Sequence, residues 1–139
     1  MIRAEVKRAL RKEGVGGFFG AGLSLPDRDF SILHFAKLNQ MVKAGVFNLA
    51  VKGFVADVNY RKEIEDCENY ANWLWSEVNQ QYVLENRGTD IKKGLAYGFA
   101  ATSDHALTAG LCVEGVCVWN YGVYEPDFNI KSIDIIRFM

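Results

Sequence analysis

The apolar pattern of this chain changes period once, near residue 90, and that change decides the fold class. Before it, apolar side chains recur at helical spacing: Ile2, Val6, Ala9 and Leu10, then Ile32, Leu33, Ala36, Leu38, Met41 and Val42, then Tyr70, Ala71, Leu74, Trp75 and Val78. After it, residues 95–102, 105–113, 116–124 and 133–138 are rich in β-branched, aromatic and small apolar residues, and Glu114-Gly115 is a hairpin signal. Helices first and antiparallel strands second, with a helix packed across the sheet, describe an α+β domain. The best-defined helix covers 66–82; the one before it is expected to end near Gly45, and Gly88 marks the break into the sheet. Residues 47–60 leave strand, turn and short helix all open. At 139 residues, half of them hydrophobic, the chain fits one domain: 1–28 an N-terminal helix and Gly-rich loop, 29–88 a helical part, 89–139 the sheet.

Charge and cysteine usage exclude several function classes. The formal net charge of -1 gives no overall attraction to nucleic acid or anionic lipid, and the cations of the first helix, Lys7, Arg8 and Arg11, read as a solvated face. No apolar run approaches the roughly 18 residues of a membrane helix, and after Arg3 and Lys7 a secretory start is interrupted by Glu5, Arg8, Arg11 and Lys12. Neither a nucleic-acid nor a membrane partner is expected. Gly14, Gly16, Gly17, Gly20 and Gly22 lack dinucleotide-fingerprint spacing and follow a helix where that motif needs a strand. His34 has no cysteine or second histidine nearby to share a metal, so it reads as a packed or half-exposed structural residue. Three cysteines, Cys67, Cys112 and Cys117, cannot all pair within one chain.

Cys67 lies three and four residues before Tyr70 and Ala71, so it opens the helix on its inward side. A helix N-terminus favours a thiolate through its unpaired N–H groups and partial positive charge. Glu63, Glu65, Asp66 and Glu68 act against it, and a cationic imidazole would compensate. His105, opening a strand after Ser103-Asp104, is the candidate base. For the residue that orients the imidazole, a three-residue hairpin loop makes Glu125 the diagonal neighbour of His105, with Asn120, the alternative third member, opposite position 108. A two-residue loop around Glu114-Gly115 instead sets Cys112 against Cys117, where packed thiols are preferred to a cross-strand disulfide. The oxyanion hole would use the Cys67 N–H and a second donor that the sequence does not identify, with Asn59 and Arg61 as candidates. A purely structural role for Cys67, His105 and Glu125 fits the same periodicity.

Asp66-Cys67-Glu68-Asn69-Tyr70-Ala71 resembles the signature that opens the catalytic helix of bacterial transglutaminase-like cysteine proteinases, and of the papain-like peptidase domain of a mushroom agglutinin and its small phage relatives. His105-Ala106-Leu107 resembles their histidine strand, and Tyr124-Glu125-Pro126 their acid. The resemblance implies a papain-like or transglutaminase-like fold with Cys67 as nucleophile, His105 as base and Glu125 as orienting acid. Asn69 stands where the family usually carries Asp. Some relatives bind calcium near this motif; no cofactor is expected here, and Asp66 and Glu68 are the calcium candidates.

The leading expectation is therefore a cysteine peptidase or amidase acting on a peptide or protein substrate through a thioester, cytoplasmic since no signal peptide is read, or virion-associated as the resemblance to phage proteins implies. The alternatives are a catalytically silent structural or binding module on the same fold, and an acyl transferase of transglutaminase type.

Overall fold

The computed structural model describes residues 1–15, 22–55, 66–103, 105–120, 126–127 and 133–138. Among them are three helices, α1 (Arg3–Lys12), α2 (Phe35–Val51) and α3 (Cys67–Asn86). The strands are β1 (Leu23–Ser24), β2 (Phe30–Ser31), β3 (Gly94–Leu95), β4 (Tyr97–Ala101), β5 (Ala106–Cys112), β6 (Gly115–Trp119), β7 (Pro126–Asp127) and β8 (Ile135–Arg137). The architecture is α+β, as the change of period predicts.

Six strands form one sheet in the order β1-β8-β4-β5-β6-β7, and β2 and β3 form a separate parallel pair. Within the large sheet β4, β5, β6, β7 and β8 pair antiparallel, and only β1 joins parallel, on β8. β5 lies in the middle and all seven of its residues are buried. Its side chains alternate between two cores. Leu107, Ala109 and Leu111 belong to one apolar core with Val6 and Leu10 of α1, whereas Cys112 belongs to the other with Leu38, Met41, Leu74 and Val78 of α2 and α3. Helices thus cover both faces: α3 with α2 on one, α1 on the other.

α3 starts on a capping box. The Asp66 side chain accepts from the N–H groups of Glu68 and Asn69, and the Asn69 side chain accepts from the Asp66 N–H. This gives the Asn69 departure a local reason: its amide oxygen supplies the return half of the box. α3 ends before Gly88, whose φ of 82° suits glycine.

α2 runs through Gly45 to Val51 and does not end near Gly45. The glycine there is a point of close approach: a Cβ at Gly45 would lie 3.0 Å from Leu74 Cδ1 and 3.4 Å from Glu77 Cβ. Glu77, buried on α3, pairs with Lys52 just past the end of α2.

The β5–β6 hairpin has a two-residue loop, Val113 and Glu114, with Cys112 paired to Gly115 and Gly110 to Cys117. Both expected registers are corrected by this. Glu114 is held from outside the hairpin: its Oε2 accepts from the Phe35 N–H at 2.7 Å, its Oε1 meets His34 Nδ1 at 3.2 Å, and the Val113 N–H donates to the Leu33 carbonyl. The turn caps α2, whose N-cap residue His34 makes no side-chain cap of its own. These bonds hold the Glu114 carboxyl below its ordinary range, with the Phe35 N–H as the main cause and His34 assisting. His34 is structural, though exposed and not packed.

Candidate active site

The capping box sets the first residue of α3 against the sheet. Cys67 is half-buried at that position, followed by the buried Tyr70 and Ala71. Its sulfur accepts a hydrogen bond from the Ala106 backbone N–H at 3.4 Å. Ala106 is the first residue of β5 and follows His105 directly. A Cα lies about 2.4 Å from the next residue's amide nitrogen, so the His105 Cα is within about 6 Å of the Cys67 sulfur. The helix head and the start of the histidine strand are brought together.

His105 is fixed in the turn between β4 and β5 by Thr102. The His105 N–H donates to Thr102 Oγ1 at 3.1 Å, and the His105 carbonyl accepts from the Thr102 N–H at 2.8 Å and from Thr102 Oγ1 at 3.3 Å. Both main-chain polar groups of the histidine are thereby satisfied one residue before the strand. The residue is half-buried and its Nε2 is shielded from solvent.

The three cysteines differ sharply in environment. Cys112 and Cys117 are 2% and 0% exposed, whereas Cys67 is the one open to a reactant. Burial, with Glu114 adding to it, pushes the Cys112 thiol up to about 12, so it is not a nucleophile near neutral pH. The observed register also sets Cys112 and Cys117 diagonally. Diagonal Cα atoms on paired strands are about 7–8 Å apart, too far for a disulfide, and none of the three cysteines is in a disulfide.

Asn120 directly follows Trp119, which pairs Thr108. The expectation that Asn120 stands opposite position 108 is therefore off by one residue; it falls at the level of Leu107, nearer the Cys67 end of β5. Glu125, Asn59, Arg61, Glu63 and Glu65 lie outside the described residues. Of the calcium candidates, Asp66 uses one carboxylate oxygen for both capping bonds, and Glu68 occupies the first turn of α3. Among the described residues no group of three His, Cys, Asp or Glu is placed to hold a metal ion, and no helix is long and apolar enough to cross a membrane.

Two members of this arrangement escaped the reading of the sequence. Thr102 carried a usable signal, since a threonine shortly before a strand-opening residue is a common local bond-maker. The Ala106 amide carried none, because a backbone group leaves no mark in residue identity. No protein-family model matches the sequence, and no curated protein matches it.

Proposed function

We propose that the protein is a cysteine hydrolase, a peptidase or amidase, with Cys67 as nucleophile and His105 as its base. The imidazole takes the thiol proton as the sulfur attacks a substrate carbonyl carbon; the C–N bond then breaks and the same proton leaves with the amine. Water, activated by the imidazole, cleaves the resulting thioester, releasing the acid and regenerating the thiol. Glu125 is the proposed orienting acid and Asn120 its alternative. An acceptor amine in place of water would turn the same thioester into acyl transfer.

The observation that supports this reading is the bond from the Ala106 N–H to Cys67 Sγ. It sets the most accessible thiol of the chain beside the residue that the sequence marks as base. Strict alternation along β5 would send a histidine at 105 to the face of Leu107. His105 stands instead in the turn before the strand, where side-chain direction is not bound to the pleat. The likeness of Asp66-Cys67-Glu68-Asn69-Tyr70-Ala71 and of His105-Ala106-Leu107 to cysteine-peptidase motifs supports the same assignment.

The test is iodoacetamide labelling read by mass spectrometry, alongside cleavage of a peptide library. The expected result is labelling concentrated at Cys67, and cleavage that falls about 10²- to 10⁴-fold in His105→Ala and vanishes in Cys67→Ala. Labelling of Cys67 unaffected by His105→Ala, with no peptide cleaved, overturns the hydrolase and leaves the silent module.

A further inference from the structure

We propose that the backbone N–H of Ala106 is a catalytic hydrogen-bond donor that holds the Cys67 sulfur in its anionic, attacking form. The proposal rests on the thiol chemistry assigned above and adds a main-chain group to it.

The ladder around β5 explains why this N–H points at the sulfur. In an antiparallel strand, successive residues turn their hydrogen-bonding groups to opposite neighbours. The odd positions along this stretch turn their hydrogen-bonding groups toward β4: just before β5 the His105 carbonyl accepts from Thr102, and within β5 the Leu111 N–H donates to Ala96. The even positions therefore face β6, where Thr108, Gly110 and Cys112 pair with Trp119, Cys117 and Gly115. Ala106 is the next even position, one step beyond the last β6 pair, and its N–H goes to Cys67 Sγ. The sulfur occupies the place of a strand acceptor.

The head of α3 explains why the donor matters. A thiolate at a helix N-terminus is usually stabilised by the first free N–H groups. Here Asp66 has already taken them: its side chain accepts from Glu68 and Asn69, and its carbonyl accepts from Tyr70. The cap also sets a carboxylate at the positive end of the helix, offsetting part of its field. A thiol is a weak acceptor and a thiolate a strong one, so a fixed N–H from another layer of the fold selects the anion. The Cys67 N–H is then left to the substrate oxyanion.

The experiment removes the N–H without touching a side chain, by replacing Ala106 with the corresponding α-hydroxy acid in semisynthetic full-length protein. Because the ester also weakens the His105 carbonyl, Ala106→Pro is the second variant. It keeps that carbonyl as an amide, and proline is tolerated at the first residue of a strand. Thermal unfolding establishes that each variant is folded, and Ala106→Gly, which retains the N–H, is the reference. The readout is the rate of iodoacetamide alkylation at Cys67 at pH 6.5, in which the S–C bond forms as C–I breaks and iodide leaves. Loss of a charge-assisted bond, partly offset by the greater nucleophilicity of a less stabilised thiolate, is expected to slow it about four- to twentyfold.

Ester and proline variants that are folded and react at the reference rate overturn the proposal; if the proline variant does not fold, the ester decides. Slowing by the ester, with labelling unaffected by His105→Ala and no peptide cleaved, upholds the hold of the Ala106 N–H on the sulfur and removes the hydrolase reading. The reverse pattern keeps the hydrolase and removes the donor.

Discussion

At the scale of single residues, Asp66 and Glu114 do comparable work from different places. Each uses a carboxylate to close the open N–H groups of a helix, Asp66 for the helix it begins and Glu114 for one far from it in the chain. Asp66→Ala should cost about 1 kcal/mol of stability, the usual loss for an N-cap, measured by urea unfolding. It should also change the alkylation rate of Cys67, because the same cap positions the sulfur. Glu114 ties folding to pH. Its folded pKa lies below the unfolded value near 4.3, so its contribution is complete above that value and is lost as pH falls through the folded one. Glu114→Gln should therefore lower Tm at pH 7, and the gap from wild type should close in acid. A gap that persists unchanged at pH 2 would contradict the assignment. The positions of Cys67 at a helix start and of His105 just before a strand start were legible; Glu114 was legible only as a turn residue, since its partners lie some eighty positions away.

At the scale of elements, period identified the long helices and the central strands, while boundaries followed tertiary contact. Gly45 looks like a helix terminator in sequence, yet it is the point where α2 meets Leu74, Glu77 and Val78 of α3. Gly45→Val should destabilise the protein by about 2 kcal/mol through overpacking, a loss read in urea that Leu74→Ala in the same molecule should partly relieve. The hairpin register failed for a related reason: the expected turn optimises its own two strands, whereas the observed one also satisfies Phe35 and Leu33. The two-residue strands β1, β2, β3 and β7 have no period to read at all. One buried polar pair sits inside the sheet, with the Tyr97 hydroxyl donating to Thr108 Oγ1 at 2.8 Å. Burial raises the Tyr97 hydroxyl well above its ordinary range, so it stays a neutral donor. Tyr97→Phe should cost about 1 kcal/mol or more, and Thr108→Val added to it should recover part of that loss, since no polar atom is then stranded.

At the scale of the molecule, a single sheet separates two apolar cores, and its middle strand contributes to both. The cores should fail together. Leu10→Ala on the α1 side and Leu74→Ala on the α3 side, each at a fully buried position, should each remove about 3 kcal/mol and shift one common urea transition. Two transitions in either variant would mean that α1 is an independent layer. The change of apolar period foretold a helix on the sheet, but which face each helix covers follows from the strand alternation that only the observed register supplies. Among the described residues, one border of that sheet is β1, two residues long between Gly22 and Leu25. So brief a border offers an incoming polypeptide too few amide and carbonyl groups to lengthen the ladder there, which guards that edge against edge-to-edge polymerisation into fibrils.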